Sequence, residues 1–453
     1  MMIVGIDVGT TKTCVLVGKQ DHAGRLTIVG ASTSPARGIR RGIIVDIDEA
    51  VASITMALDR AERLSGEHIR SAYVSISGRH IGCLNSTGAV TISPLYRDIT
   101  EADIRRTLEA ARAIVLPAGH EVLHVIPRGY TLDGQDGIEN PVSMAGFLLE
   151  VEAHIITGAS TSINSLVRCM QGLNVGIDEL IVGGLASSEA VLEEGESDLG
   201  VAVLDIGGGT TDISIFTKGS IAYTTALPLG GDLITNDIAI GLQLPFSVAE
   251  KLKITYGHSN PAMIDDHEMI DIGQFMPGRR DRISRKLLAE IIEARVEEIC
   301  GMIGDAIQTV SYGDWLPAGV VVTGGTALLP GLLEMVEQEL DLPARLGTPD
   351  RIHGLDSSLD RSFQLPAFST AIGLLLWGAR HSSLDSEEEE EQFEDDEPPY
   401  DNRSRISDWL RTLIVQKLKP AASTEEQVGI LSAAYSAGSY TLALNRRSGS
   451  GTF

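Results

Sequence analysis

Cysteine is scarce: four in 453 residues, Cys14, Cys83, Cys169 and Cys300, with no CxxC pair and no metal-ligand spacing. That excludes a disulfide framework and a zinc-ribbon site, and leaves four reduced thiols in a reducing compartment. Basic residues are few, 36 Lys and Arg against 62 Asp and Glu, for a net charge of −26. A chain this acidic repels phosphate backbones, which excludes general nucleic-acid binding. No apolar run is long: Ala371–Ala379 is about half of a bilayer span. The opening MMIVGIDVGTT lacks a basic n-region and runs straight into a Gly-containing turn, so it is not a signal peptide. What is there is an ordinary globular balance, 43% hydrophobic and 22% charged. The length has room for about two to four compact units. Glycine is in excess, 48 residues, where a usual share would give about 32. Special backbone turns are therefore expected.

Residues 2–8 are apolar and β-branched, Gly-Thr-Thr follows, and Cys14–Val17 is apolar again, the pattern of a hairpin. Leu26–Ser32 and Ala72–Ser77 read as further strands, and Ile47–Leu64 carries apolar residues at helical spacing. The pattern then returns: VGIDVGTTKTCVLVG is matched by AVLDIGGGTTDISIF, with Asp7 and Asp205 in register. An internal repeat of this kind implies two similar halves. Residues 83–159 break it, with a capped helix at Thr100 and Glu101–Ile114 among short β-like runs, and read as an inserted α+β unit. Further helices are expected at Thr161–Gln171, Ser247–Lys253, Ser284–Val310, Leu332–Leu340 and Ala367–Ala379, and strands at His154–Thr157, Glu179–Val182 and Pro317–Thr323.

A Gly-rich turn lets backbone N–H groups approach phosphate oxygens, and Thr hydroxyls add donors. A carboxylate ending the preceding strand can hold Mg²⁺, usually through water. Asp7 with Gly9, Thr10 and Thr11 supplies that set once, and Asp205 with Gly207, Gly208, Gly209, Thr210 and Thr211 supplies it again. One such turn is as well read as a plain hairpin. Two in matched context, with a third Gly-Gly turn at Gly324 and Gly325, point to a nucleotide cleft.

The three turns resemble the phosphate-1, phosphate-2 and adenosine motifs of the actin, sugar-kinase and heat-shock-chaperone ATPase superfamily. More closely, most of the span 2–380 resembles the FtsA family of bacterial cell-division proteins. The residues that carry this are GIDVGTTK (5–12), LDIGGGTTD (204–212), LGGDLITNDIA (229–239), AEKLKITYG (249–257), VVTGGTALLPGL (321–332) and PAFSTAIGLLLWG (366–378). DITEADIRRTLEAA (98–111), HVIPRGYTLDG (124–134) and NPVSMAGFLLE (140–150) lie in the insert, which generic actin-like ATPases lack. The resemblance implies ATP and Mg²⁺ as ligands. It places Lys12 with Thr10 and Thr11 on the phosphates, Glu250 and Lys253 toward adenine or ribose, and the Gly324–Gly325 backbone on the nucleoside. It also implies self-association, recruitment of later division proteins, and docking of the C-terminal tail of the tubulin-like protein FtsZ on the second lobe. The matching stretch is 279–299, with Arg285, Lys286 and Arg295 as the residues to test. No residue is singled out as a water-positioning base. Asp212 and Asp232 lie nearest the motifs, and weak ATPase activity at most is expected.

Residues 385–397 hold ten acids and no base, a self-repelling stretch that reads as a disordered linker. In 402–419, Ile406, Trp409, Leu410, Leu413, Ile414 and Leu418 fall on one helical face. Five bases there oppose one acid, net +4 in an otherwise acidic chain. A basic amphipathic helix with a tryptophan is the pattern of an anchor on an anionic membrane surface, and the family likewise ends in such a helix. Peripheral attachment to the cytoplasmic side of the cell membrane, at the septum, follows from the resemblance. Residues 420–453 depart from the family pattern and are expected to be a disordered tail.

The fold expected is therefore α/β, an actin-like two-lobed ATPase fold with an inserted α+β subdomain, a disordered linker and a C-terminal amphipathic helix. The first lobe comprises 1–82 and 160–197, the insert 83–159, and the second lobe 198–365 with an outer subdomain at about 235–302. Then come a closing helix at 366–380, the acidic linker at 381–401, the membrane helix at 402–419 and the tail at 420–453. A pilus-assembly-type actin-like adaptor is the nearest competing function. A small-molecule kinase would need a committed general base and has no use for a basic amphipathic tail. A chaperone would need a β-rich peptide-binding domain, for which too little chain remains after 380.

Overall fold

The computed structural model describes residues 1–391 apart from 93–96, 280, 311–315, 353 and 357–358. The first lobe is built on the antiparallel meander Met2–Val8, Lys12–Gln20 and Leu26–Pro35. Ser71–Ile76 and Gly176–Val182 extend it in parallel on one side, and Gly354–Leu355 on the other. The second lobe repeats the plan: Val201–Ile206, Thr211–Thr217 and Ser220–Leu227 form the meander, extended in parallel by Val320–Thr323 and Ala344–Leu346. The repeat holds to the residue, with Asp7 opposite Cys14 in one hairpin and Asp205 opposite Asp212 in the other.

Helix Ile47–Ser65 covers the first sheet. It starts at Asp46, whose carboxylate accepts from the Glu49 N–H at 3.0 Å, and buries Ala50, Ile54, Ala57, Leu58 and Ala61. A helix over Ser369–Glu391 closes the lobe, with Ala371, Ile372, Leu374 and Leu375 fully buried. Each large side chain so buried contributes roughly 1.5–3 kcal/mol. Two expected boundaries move. The chain returns to the first-lobe sheet at Gly354, before the expected end of the second lobe at 365. The closing helix begins at Ser369, after a short 3-10 turn at Pro366–Phe368, and continues to Glu391. The start of the acidic stretch is thus helical rather than linker, because the helix already paired to the sheet needs no new nucleus to extend. The rest of the linker, the amphipathic segment 402–419 and the tail 420–453 lie outside the described residues.

The insert is a four-stranded antiparallel sheet in the order Gly82–Thr91, Leu148–Ala159, His120–Leu132, Gln135–Ile138, with helix Glu101–Arg112 against it. It has its own core, including Ile92, Ile99, Ala111, Leu149 and Val151. The cap expected at Thr100 is present. Its N–H and hydroxyl both donate to Asp103, at 3.0 and 2.7 Å, and Arg97 grips the same carboxylate through two bonds of 2.7 and 2.8 Å. These donors, led by Arg97, hold the buried Asp103 far below the usual carboxylate range. In the second lobe the outer helices Gly231–Gly241, Phe246–Tyr256 and Arg285–Val310 pack through Ile234, Ile238, Leu252, Leu288, Ile292 and Val296.

Candidate functional site

The two hairpin turns have the same closure. Gly9 N–H donates to Lys12 O at 3.1 Å, and Gly207 N–H to Thr210 O at 2.9 Å. They meet face to face across the lobes. A methyl group on Gly208 would lie 1.9 Å from Thr11 Oγ1, and one on Gly209 would lie 2.6 Å from Thr10 Cγ2. Thr10 Oγ1 itself accepts from Gly42 N–H at 3.0 Å. The third turn stacks beneath the second, with Thr326 Oγ1 donating to Gly207 O at 2.9 Å. Gly324 has φ of +89°, and a Cβ there would strike Asp205 Oδ1 at 2.4 Å. Gly325 is freer, with Ala367 Cβ at 3.9 Å the only atom a methyl would approach.

Three carboxylates lie behind the turns. Ser75 Oγ donates to Asp7 Oδ1 at 2.8 Å and accepts from Val8 N–H at 2.9 Å. Burial raises the Asp7 acid, and Lys12 and Ser75 partly offset that. Asp205 is pushed up to about 6 by burial, against the Thr370 hydroxyl that donates to its Oδ2 at 2.8 Å. Asp212 is pushed up to about 8, first by burial and then by the Asp205 charge, although Ser77 Oγ lies 2.7 Å from both its oxygens. A cation beside such a set would relieve the crowded charge. Among the described residues no three His, Cys, Asp or Glu side chains gather as a cage.

The other expected site residues are engaged by the protein's own groups. Lys12 Nζ donates to Ala367 O and sits 4.7 Å from the Phe368 ring centroid, on the segment that precedes the closing helix. Lys253 Nζ reaches Glu250 at 2.7 Å, Thr235 Oγ1 at 2.7 Å and Gly231 O at 3.0 Å, which uses its three hydrogens. The pair therefore fixes the start of helix Gly231–Gly241, beside Asp232, whose N–H donates to Gly208 O at 2.7 Å. Burial raises the Asp232 acid, and the Lys253 charge opposes that. Ser75, Ser77, Thr326 and Thr370 escaped the sequence reading. Ser75, Ser77 and Thr370 are hydroxyls brought to the turns from other elements, whereas Thr326 follows Gly325 within the third turn and its reach to Gly207 O is what the sequence hides.

The basic residues expected to await an acidic peptide are already paired. Arg285 binds Glu268 at 2.8 and 3.1 Å and Tyr256 O at 2.9 Å. Lys286 pairs with Asp266, and Arg295 with both Asp237 and Glu298. Local acids compensate each base in a chain of this charge, so none is an open cation.

Two lobes of repeated topology, meeting at paired Gly-Thr turns, define an actin-like fold. Solved structures agree. A PilM–PilN type IV pilus biogenesis complex matches with a TM-score of 0.59 at 17% identity, covering 83% of this chain and 98% of that one. MreB5 of Spiroplasma citri bound to ADP matches at 0.50 and 13%, covering 86% and 98%. Residues 202–373 match the family model for cell division protein FtsA, and residues 78–157 match the SHS2 domain inserted in FtsA. Cell division protein FtsA of Pseudomonas aeruginosa is 38% identical over 412 residues, covering 90% of this chain and 97% of that protein. FtsA of Borreliella burgdorferi is 41% identical over 378 residues (83% and 90%), and that of Escherichia coli K12 is 35% identical over 401 (86% and 93%). The chain belongs to the FtsA family of cell-division proteins. The resemblance read from the motifs holds, and so does the presence of an inserted subdomain, matched over 78–157.

Proposed function

We propose that the cleft binds ATP with Mg²⁺, and that the protein self-associates and ties FtsZ, through its C-terminal tail, to the cytoplasmic face of the cell membrane at the septum. The observation that carries the nucleotide reading is the meeting of Gly208 and Gly209 with Thr11 and Thr10 across the cleft. Backbone N–H groups and threonine hydroxyls from both lobes can thereby converge on phosphate oxygens. Asp7 and Asp205 would hold Mg²⁺, which screens the phosphate charge. Burial and the Asp205 charge raise Asp212 to about 8, so its carboxyl is not marked out as the proton acceptor for hydrolysis. Segment 402–419 would be the anchor, and no described helix is long and apolar enough to cross a membrane. Co-pelleting with anionic liposomes, with and without 402–419, in the presence of an FtsZ tail peptide, tests the adaptor reading. Equal pelleting of both forms, or no peptide carried down, rejects it.

A further inference from the structure

The insert touches both lobes. It is fastened to the first by its own chain connections and by His124, whose Nε2 accepts from Val182 N–H at 3.3 Å. On its other side it meets Ser220–Leu227, the edge strand of the second-lobe sheet. There His154, fully buried, lies 2.7 Å from Asn85 Oδ1 through Nδ1 and 3.1 Å from Thr224 Oγ1 through Nε2. A carboxamide oxygen only accepts, so Nδ1 carries the hydrogen and Nε2 accepts from the Thr224 hydroxyl. Asn85 Nδ2 donates in turn to Ala222 O at 3.3 Å, and Thr224 N–H donates to Cys83 Sγ at 3.4 Å. The edge strand thus finds side chains of the insert where another strand would otherwise pair.

The lobes also abut at the cleft, since a methyl on Gly208 would overlap Thr11. A nucleoside triphosphate can pass between the two turns only if they part. Rotation of the second lobe to part them carries Ser220–Leu227 away from an insert that stays with the first lobe. Parting exchanges the buried His154–Thr224 bond for bonds to water, and the net loss of one hydrogen bond opposes that motion. We propose that the inserted subdomain is a latch across the lobes, and that the Asn85–His154–Thr224 chain sets the rate at which the cleft opens to exchange nucleotide. This rests on the nucleotide reading above.

The test measures release of a pre-bound fluorescent ATP analogue, with Mg²⁺ and an excess of unlabelled ATP, from the full chain. Thr224→Val keeps the shape and removes the hydroxyl, and release should quicken about three- to tenfold for one hydrogen bond. Thr224→Ser restores the donor and should release as wild type does. In Thr224→Cys the new thiol sits on the residue whose N–H reaches Cys83 Sγ at 3.4 Å, and mass spectrometry after diamide oxidation reads whether the two thiols have linked. Release from the linked protein should slow by more than about tenfold, because the opened state is no longer accessible. Dithiothreitol should reverse the effect. Equal release from wild type and all three folded variants overturns the latch, as does equal release from linked and unlinked Thr224→Cys protein. If wild type takes up no analogue, the nucleotide reading itself has failed, and the latch falls with it.

Discussion

The Thr370 hydroxyl donates to Asp205 Oδ2 at 2.8 Å, and so ties the first turn of the closing helix to the strand end behind the Gly207–Thr210 turn. That bond favours the charged carboxylate, against the burial that pushes Asp205 up to about 6. Magnesium-dependent ATP binding should therefore weaken as pH falls through about 6. Thr370→Val removes the donor and should move the midpoint to higher pH. Titrations of ATP affinity from pH 5 to 8, with Mg²⁺ and with EDTA, decide this. An unmoved midpoint would mean that Asp205 does not govern metal binding.

Asp212 gives a stability signature of the opposite kind from a salt-bridged acid. Its pKa is about 8 in the folded chain and about 3.9 unfolded. Between those values the folded state binds the extra proton, so stability contributed by the protonated acid is present at low pH and lost as pH rises toward 8. The slope is at most about 1.4 kcal/mol per pH unit for one proton. Urea unfolding in EDTA across pH 5 to 8 should show stability falling with pH, and Asp212→Asn should flatten the curve.

The third turn separates folding from binding. Gly324→Ala forces a side chain onto φ of +89° and against Asp205. Strain of that kind costs about 1–3 kcal/mol, and the melting temperature should drop. Gly325→Ala meets only Ala367 Cβ at 3.9 Å and should leave melting almost unchanged. If ATP affinity nevertheless falls in the folded Gly325→Ala protein, the nucleoside lies against that backbone. If it does not, the adenosine side of the cleft is elsewhere.

The second-lobe bases should separate in the same way. Arg285 is three-quarters buried and holds Glu268 and a backbone carbonyl. Arg285→Ala should cost about 0.5–1.5 kcal/mol, mostly for the lost bond to Tyr256 O, since Glu268 is 41% exposed and is left solvated. Lys286 pairs with an Asp266 that is 70% exposed, and Lys286→Ala should cost less than about 1 kcal/mol. Peptide titration of the Lys286 variant is thus the clean test of the FtsZ-tail placement, and unchanged affinity would count against it.

The sequence carried the architecture well because its signals are local and doubled. Asp7 and Asp205 each end an apolar strand before a Gly-Thr turn, and that spacing alone foretold the matched registers of the two hairpins. The insert announced itself by a helix start at Thr100 among short β-like runs. What stayed hidden depends on elements far apart in the chain. Nothing near Thr370 says that its hydroxyl will reach Asp205, and nothing near Lys12 says that Ala367 will occupy its ammonium. Paired bases are hidden for the same reason: Arg295 looks open until folding brings Asp237 beside it. The early return of the chain at Gly354 rests on a two-residue pairing, too short to leave a periodic trace.

Membrane attachment through 402–419 should need apolar area more than charge. Six large apolar side chains share one face, Ile406, Trp409, Leu410, Leu413, Ile414 and Leu418. Each contributes up to roughly 1.5–3 kcal/mol when fully withdrawn from water, and less at an interface. Each base near an anionic surface adds about 1 kcal/mol, so a net +4 supplies a smaller and salt-screened share. Trp409→Glu should therefore release the protein from anionic liposomes, whereas raising salt should only weaken pelleting. The closing helix runs to Glu391, and any ten-residue stretch such as 392–401 spans at most about 35 Å fully extended. An anchor at 402–419 would then hold the actin-like body near the surface without requiring it to touch. If Trp409→Glu protein pellets as wild type does, the apolar face is not the anchor. If high salt alone abolishes pelleting, charge outweighs insertion, and the order of the two terms is reversed.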